Sequence, residues 1–451
     1  MSYRWAMLVV LGCASLVRGQ VTIHVPAEYV TIQAAIGAAA DGDTVLVAPG
    51  TYFENINFSG KNIELRSSAG PSLTTIDGAA TGSVVTFISG EGRAAILDGF
   101  TIQNGRAIFG AGIFVDSSSP TIINNRIVGN TTIPGQSGFG GGMLLQTSNA
   151  YIGFNEIAYN TVFIGDAGGV GTTAFTNTIT VERNLIHHNT ALGNGGGLYL
   201  RNVDAQLINN TIAFNTSQAW HGGGIDCYVE GVGPKVVQLT NCIVWGNSSG
   251  MAGPQIYNEK DTVDLLVAYS DVEGGWTGTG NIALAPLFGD GAAGDLTLSA
   301  GSPCINAGNP SSPTDPDGSV ADMGALPFTQ PFLSLGSGLA GTNGIPGLVA
   351  TGTLVAGTPI ALILSGAKPF APSWLVVGVA QLNAPFKGGV MVPTPDLLFA
   401  QTTDFFGASS FGGLWPAGVP SGFTTYFQWW ISDPAGPKGF AASNALAGTT
   451  P

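Results

Sequence analysis

Only 9% of the 451 residues are Asp, Glu, Lys or Arg, against about 25% in an average globular chain. Charge that sparse leaves no solvated faces for a coiled coil or a bundle of long helices, and 68 glycines argue against both. Basic residues are scarcest, with 14 Lys and Arg against 28 Asp and Glu, a net charge of −14. A body so acidic repels phosphate backbones, so no nucleic-acid partner is expected. After the leader no apolar run reaches the ~18 residues of a membrane-spanning helix. Disorder is excluded by an apolar content of 44%. A β-rich chain with many tight turns remains.

The charge is unevenly distributed. Residues 331–451 contain Lys368, Lys387 and Lys438 against Asp396, Asp404 and Asp433, which cancel. The whole excess therefore belongs to residues 1–330. Arg4, an uncharged run from Trp5 to Val17 and then Arg18-Gly19 have the form of a secretory signal cleaved after Gly19. The alternative is a lipoprotein box at Val10-Leu-Gly-Cys13, with Cys13 lipidated. Either way the protein is expected outside the cytoplasm, secreted or at the cell surface. Cys227, Cys242 and Cys304 then remain, too few for a disulfide framework and without metal-ligand spacing. The simpler reading is buried free thiols, with a Cys227–Cys242 bond the alternative.

What the chain does have is a repeat. Asn125-Arg-Ile-Val-Gly-Asn130, Asn155-Glu-Ile-Ala-Tyr-Asn160, Asn184-Leu-Ile-His-His-Asn189 and Asn210-Thr-Ile-Ala-Phe-Asn215 recur every 26 to 30 residues. Asn241-Cys-Ile-Val-Trp-Gly-Asn247 follows with one extra residue. Each unit also carries a glycine cluster before a second apolar run, as in Gly140-Gly-Gly-Met143 and Gly195-Gly-Gly-Leu198. Propeller blades need about 40 residues and leucine-rich repeats a leucine frame that is missing. One coil of a parallel β-helix fits, with each turn stacking on the next at ~4.8 Å and equivalent side chains forming ladders. The starting Asn is expected to bond the backbone and the Asn of the next coil.

On these motifs residues 22–328 resemble the right-handed parallel β-helices of the pectin-lyase-like superfamily. The opening fits too: Thr31-Ile-Gln-Ala-Ala-Ile36 continues to Ala40 as a short helix before Asp41-Gly-Asp-Thr-Val-Leu-Val47, and in that superfamily such a helix plugs the first coil. The close, Ser302-Pro-Cys-Ile-Asn-Ala-Gly308 with Ala321-Asp-Met-Gly-Ala325, looks like the last coil of secreted bacterial members. From Thr329 the Asn frame stops, and short apolar runs between Gly, Pro and Ser turns predict an antiparallel β-sandwich to residue 451, similar to a recurrent C-terminal module. The expected fold is thus all-β: a right-handed parallel β-helix over 20–328 with an N-terminal capping helix, then the sandwich.

The resemblance implies polysaccharide chemistry, but the enzyme signatures are incomplete. Gly50-Thr-Tyr-Phe-Glu54 matches one pectinesterase element, and the later ones are absent. No Asp-Asp pair serves a polygalacturonase, and no Trp-Ile-Asp-His or Arg-x-Pro-x-x-Arg serves a pectate lyase. The reading is a carbohydrate-binding or adhesive protein that takes a polysaccharide or cell-surface glycan. Its alternatives are a lyase or glycoside hydrolase of unrecognised type and a structural envelope spacer.

Candidate residues follow from alternation. Phe114, Leu144, Gly171, Tyr199 and Asp226 form one outward column, and Asp116, Gln146, Thr173, Arg201 and Tyr228 the next. Tyr199, Arg201, Asp226 and Tyr228 are therefore expected as an exposed sugar-binding patch. Tyr159, His188, Phe214 and Trp245 are expected inside as a core ladder, with His187 exposed on the opposite face. In the sandwich, Phe427, Trp429 and Ile431 read as core. Tyr426, Gln428 and Trp430 read as a second aromatic face, suited to a neutral glycan. Asp315, Asp317 and Asp322 resemble part of a calcium loop, so calcium is possible and no other cofactor is expected.

Overall fold

The computed structural model describes residues 19–173, 178–231, 233–259, 263–328 and 331–450. The leader assigned to residues 1–19 falls outside them but for Gly19. Two compact units divide between Phe328 and Thr329.

The first unit is a parallel coil. Each turn visits, in order, a strand of a face starting at Ile56–Asn57 (face one), a strand of a ten-stranded face starting at Thr22–Val25 (face two), and a strand of a nine-stranded face starting at Gly50–Phe53 (face three). A two-residue strand such as Thr131–Thr132 follows before the glycine run. Pairing is parallel and in register, as in Ile127 against Ile102 and Ile157. Inward aliphatics from all three faces, among them Leu97, Ile102 and Ile113, make one continuous core.

Two asparagine ladders run through this core. Asn125, Asn155, Asn184 and Asn210 are linked coil to coil, and Asn130, Asn160, Asn189, Asn215 and Asn247 form a second line. Each side-chain carbonyl accepts a main-chain N–H of the preceding coil, and each amide donates to a buried carbonyl. The sequence frame thus carries polar groups that would otherwise be orphaned inside. The expected place of Asn241 is corrected. The extra residue puts it at a turn with φ 55°, and Cys242 occupies the ladder position, its main-chain N–H donating to Ser270 Oγ.

Both ends of the stack are closed. Helix α1 (Ile32–Ala38) buries Ile32, Ala35 and Ile36 against the first coil. The Glu54 carboxylate accepts from the Ile32 and Gln33 N–H groups, and Lys61 Nζ donates to the carbonyls of Ile36, Gly37 and Ala39. Opposite charges at its two ends suit the helix dipole. The Gly50–Glu54 element therefore serves the cap. At the far end Asn281 continues the ladder by accepting from Ser270 N and donating to Val267 O, and Trp276 packs on the core. Cys227, Cys242 and Cys304 are free, buried thiols.

The second unit has three antiparallel sheets, one of six strands, one of three and a two-stranded hairpin. Phe427, Trp429 and Ile431 on strand Thr424–Ser432 face Leu348, Leu362 and Leu364 of a three-stranded sheet.

Candidate functional site

The outward columns on face one have the expected register: Leu144 pairs with Gly171, Gly171 with Tyr199, and Tyr199 with Asp226. Their exposure is not as expected. Tyr199 is 4% exposed and Asp226 fully buried. The glycine bend preceding each strand, left-handed at Gly195 (φ 65°) and Gly222 (φ 63°), curls back over the column. A Cβ on Gly222 would lie 2.5 Å from that of Asp226, so only glycine permits the approach. Arg201 points elsewhere, pairing with Glu230 at 2.7 Å and lying 5.8 Å above the Tyr228 ring. The four residues do not form an exposed patch.

Beneath the bends lies an acidic cluster instead. Neither carboxyl oxygen of Asp226 has a hydrogen-bond partner among the described residues. Burial, then Glu259 and Asp166, push its pKa up to about 8, so it is protonated at neutral pH. Burial likewise raises Asp166, although its carboxylate accepts from Asn194 N. Burial and the same carboxylates raise the Tyr199 phenol.

The open site is on the far side of the coil, where face three turns into the short strands. The residue before each second ladder asparagine is left-handed: Gly129, Tyr159, His188, Phe214 and Gly246, with Asn104 at the matching place one coil earlier. Large rings fill this column for three coils, then Gly129 and Asn104 leave a depression. The cleft there measures about 520 Å³ and is walled by Arg106, Thr131, Pro134 and Phe163. Phe163 is 43% exposed. Arg106 makes no ion pair among the described residues, whereas Arg66, Arg126, Arg183 and Arg201 each face a carboxylate. An open ring and a free guanidinium fork beside amide and hydroxyl groups can hold a sugar by stacking and hydrogen bonding. Residues 85–265, which include the cleft's Arg106, Thr131 and Phe163, match the family model of the right handed beta helix region. This stretch is a right-handed β-helix. No curated protein matches the chain.

On the β-helix the aromatic column reverses expectation. Tyr159 is 44% exposed, and Tyr159, His188 and Phe214 stack outside the core at centroid spacings of 5.1 and 5.4 Å. His187 is 1% exposed. A left-handed residue interrupts strand alternation, so the ring that alternation sends inward swings out, and both histidines lie on the outer face of the coil, where His187 is buried. The extra residue in its unit moves Trp245 out of the column, opposite Ala213.

The remaining candidates are occupied by structural contacts. Asp315 Oδ2 accepts from Asp322 N, Asp322 accepts from Asn306 N and Phe328 N, and Asp317 accepts from Ser319. Asp315 Oδ1 lies 3.6 Å from Arg183, a cation where a calcium site would want another oxygen. Among the described residues no three His, Cys, Asp or Glu groups converge as metal ligands. Chelation by EDTA should therefore shift the melting temperature by less than about 2 °C; a larger drop would restore calcium to this loop. In the second unit the expected aromatic face is covered. Gln428 and Trp430 are 0% and 2% exposed beneath the hairpin of strands Gln381–Phe386 and Gly389–Pro393, with Phe386 edge-on to Trp430 at 4.9 Å. Gln428 receives Val392 N and Trp430 Nε1, and donates to Val390 O. Tyr426 is half-buried on that same face. The cleft was not foreseen from the sequence. Its signal was the change from Asn104 and Gly129 to Tyr159 within one aligned position.

Proposed function

We propose that this protein is an extracellular polysaccharide-binding protein that takes a glycan segment into the cleft at Arg106 and Phe163. The observation carrying this reading is an unpaired guanidinium beside an exposed ring in an open depression on a carbohydrate-associated fold. The leader sequence supports export, and the C-terminal sandwich fits a role in attachment. No helix among the described residues is long and apolar enough to cross a membrane.

Binding to a broad glycan array, followed by titration of the best ligand, tests the proposal. Arg106→Ala combined with Phe163→Ala should weaken that ligand at least about tenfold with an unchanged melting temperature. Equal binding by wild type and the double variant removes the cleft from consideration. The protonated Asp226 beside Asp166 favours one second reading, a lyase or hydrolase using a carboxylic acid and a carboxylate. The bend at Gly222 closes over Asp226, so binding is the better-supported role. New reducing ends or unsaturated products on a polysaccharide panel would reverse that order.

A further inference from the structure

The buried histidine beside the aromatic column has a partner that restricts its protonation. His187 Nδ1 and His188 Nδ1 are 2.9 Å apart. Two ring nitrogens can approach so closely only when one carries a proton and the other offers a lone pair. With a proton on both, the contact becomes a clash between two N–H groups on two cations.

The pair sits under a hairpin formed by strands Phe288–Asp290 and Asp295–Leu298. Phe288 packs edge-on to Phe214 at 6.3 Å. A Cβ on Gly294 would lie 3.0 Å from the Tyr159 hydroxyl and 3.3 Å from the His187 ring. His188 also lies against the backbone of Ala292 within the hairpin's turn. Below the pair, His187 Nε2 is 3.6 Å from Glu156 Oε1, and Arg126 Nε holds Glu156 Oε2 at 2.8 Å. The hairpin's own acids are engaged locally, Asp290 on Ala293 N and Asp295 on Thr297. Among the described residues, Glu156 is the carboxylate positioned to compensate charge on the pair, and it is shared with Arg126.

We infer that the His187–His188 contact is an acid-released latch that holds the 288–298 hairpin against the coil at neutral pH and frees it when both rings are protonated. At neutral pH one Nδ1 carries the proton of this contact and the other supplies the lone pair that accepts it. Burial, followed by the charge on His187, keeps the His188 pKa below the usual 6.5, so the second proton binds only in acid. Its arrival breaks the Nδ1 contact and sets two imidazolium groups against each other in a partly buried site. The hairpin is the yielding element, since the coil strands beneath it are fixed by in-register neighbours on both sides. Release uncovers the edges of the Tyr159, His188 and Phe214 rings, which continue the column from Gly129.

Hydrogen exchange of residues 286–298 in the full chain, corrected for intrinsic rates and compared at pH 7.5 and 4.8, tests the latch. The corrected rate should rise at least about tenfold in acid, where protonation of the pair favours the released hairpin. His188→Phe keeps the stack of rings but cannot titrate, and should remain protected at both pH values. His187→Gln, which leaves a single titrating ring, should likewise lose most of the acid response. Equal protection of the wild-type hairpin at both pH values overturns the proposal. So does an unchanged acid response in either variant, because the charge would then act elsewhere.

Discussion

Asp226→Asn is expected to stabilise the protein at pH 8 and to do so progressively less as the pH is lowered. Asp226 has a folded pKa of about 8 against an ordinary value of 3.8. Between those values the folded state binds a proton that the unfolded chain has released. Stability is therefore fully present below pH ~4 and is lost as the pH rises through 8. At 1.36 kcal/mol per unit the loss approaches about 6 kcal/mol, an upper figure because Asp166 and Glu259 share the titration. An amide has the same shape and carries no charge, although its donors are also buried, at a cost of about 1–3 kcal/mol. The net expectation is a melting temperature at least about 5 °C above wild type at pH 8.5, with the gap closing by pH 5. Parallel curves for the two proteins across that range would mean Asp226 is uncharged for another reason, or paired.

The opposite sign is expected at the ladder. Asn184 Oδ1 accepts from Asn155 N at 3.0 Å and Asn155 Nδ2 at 2.9 Å. Its Nδ2 donates to the carbonyls of Ile152 and Glu182 and to Asn210 Oδ1. Asn184→Ala abandons all five contacts in a fully buried place, where each unmet polar group costs about 1–3 kcal/mol before relaxation. Some groups will find partial substitutes, so a loss on the order of 4 kcal/mol is expected, large for a single substitution. Urea unfolding would measure it. A loss below about 1 kcal/mol would mean that water enters the gap and replaces the amide.

The coil was legible because its ladders need one residue type at one spacing. Asn at both ends of Asn184–Asn189 with Ile186 between fixes the register, and register fixes which residues share a column. Exposure was not legible, because it depends on chain outside the column. Asp226 is covered by a bend at Gly222, and the freedom of glycine does not reveal where a bend goes. Trp430 is covered by residues 381–393, about forty positions earlier. His188 lies outside the core because one left-handed residue defeats a period-two count, and His187 keeps its outward place but is covered by the 288–298 hairpin. The cleft depends on the absence of side chains at Gly129, and absences are poorly marked in a sequence read for motifs.

The two closed ends make the number of coils an independent variable. Helix α1 with Glu54 and Lys61 finishes one end, Trp276 and Asn281 the other, and the strands between them pair with the coil before and the coil after. Duplicating a whole 26–31-residue unit would lengthen the molecule by about 4.8 Å and leave both terminations unchanged. The same terminations lie over apolar core that a further coil would otherwise cover, so the stack has a defined first and last turn.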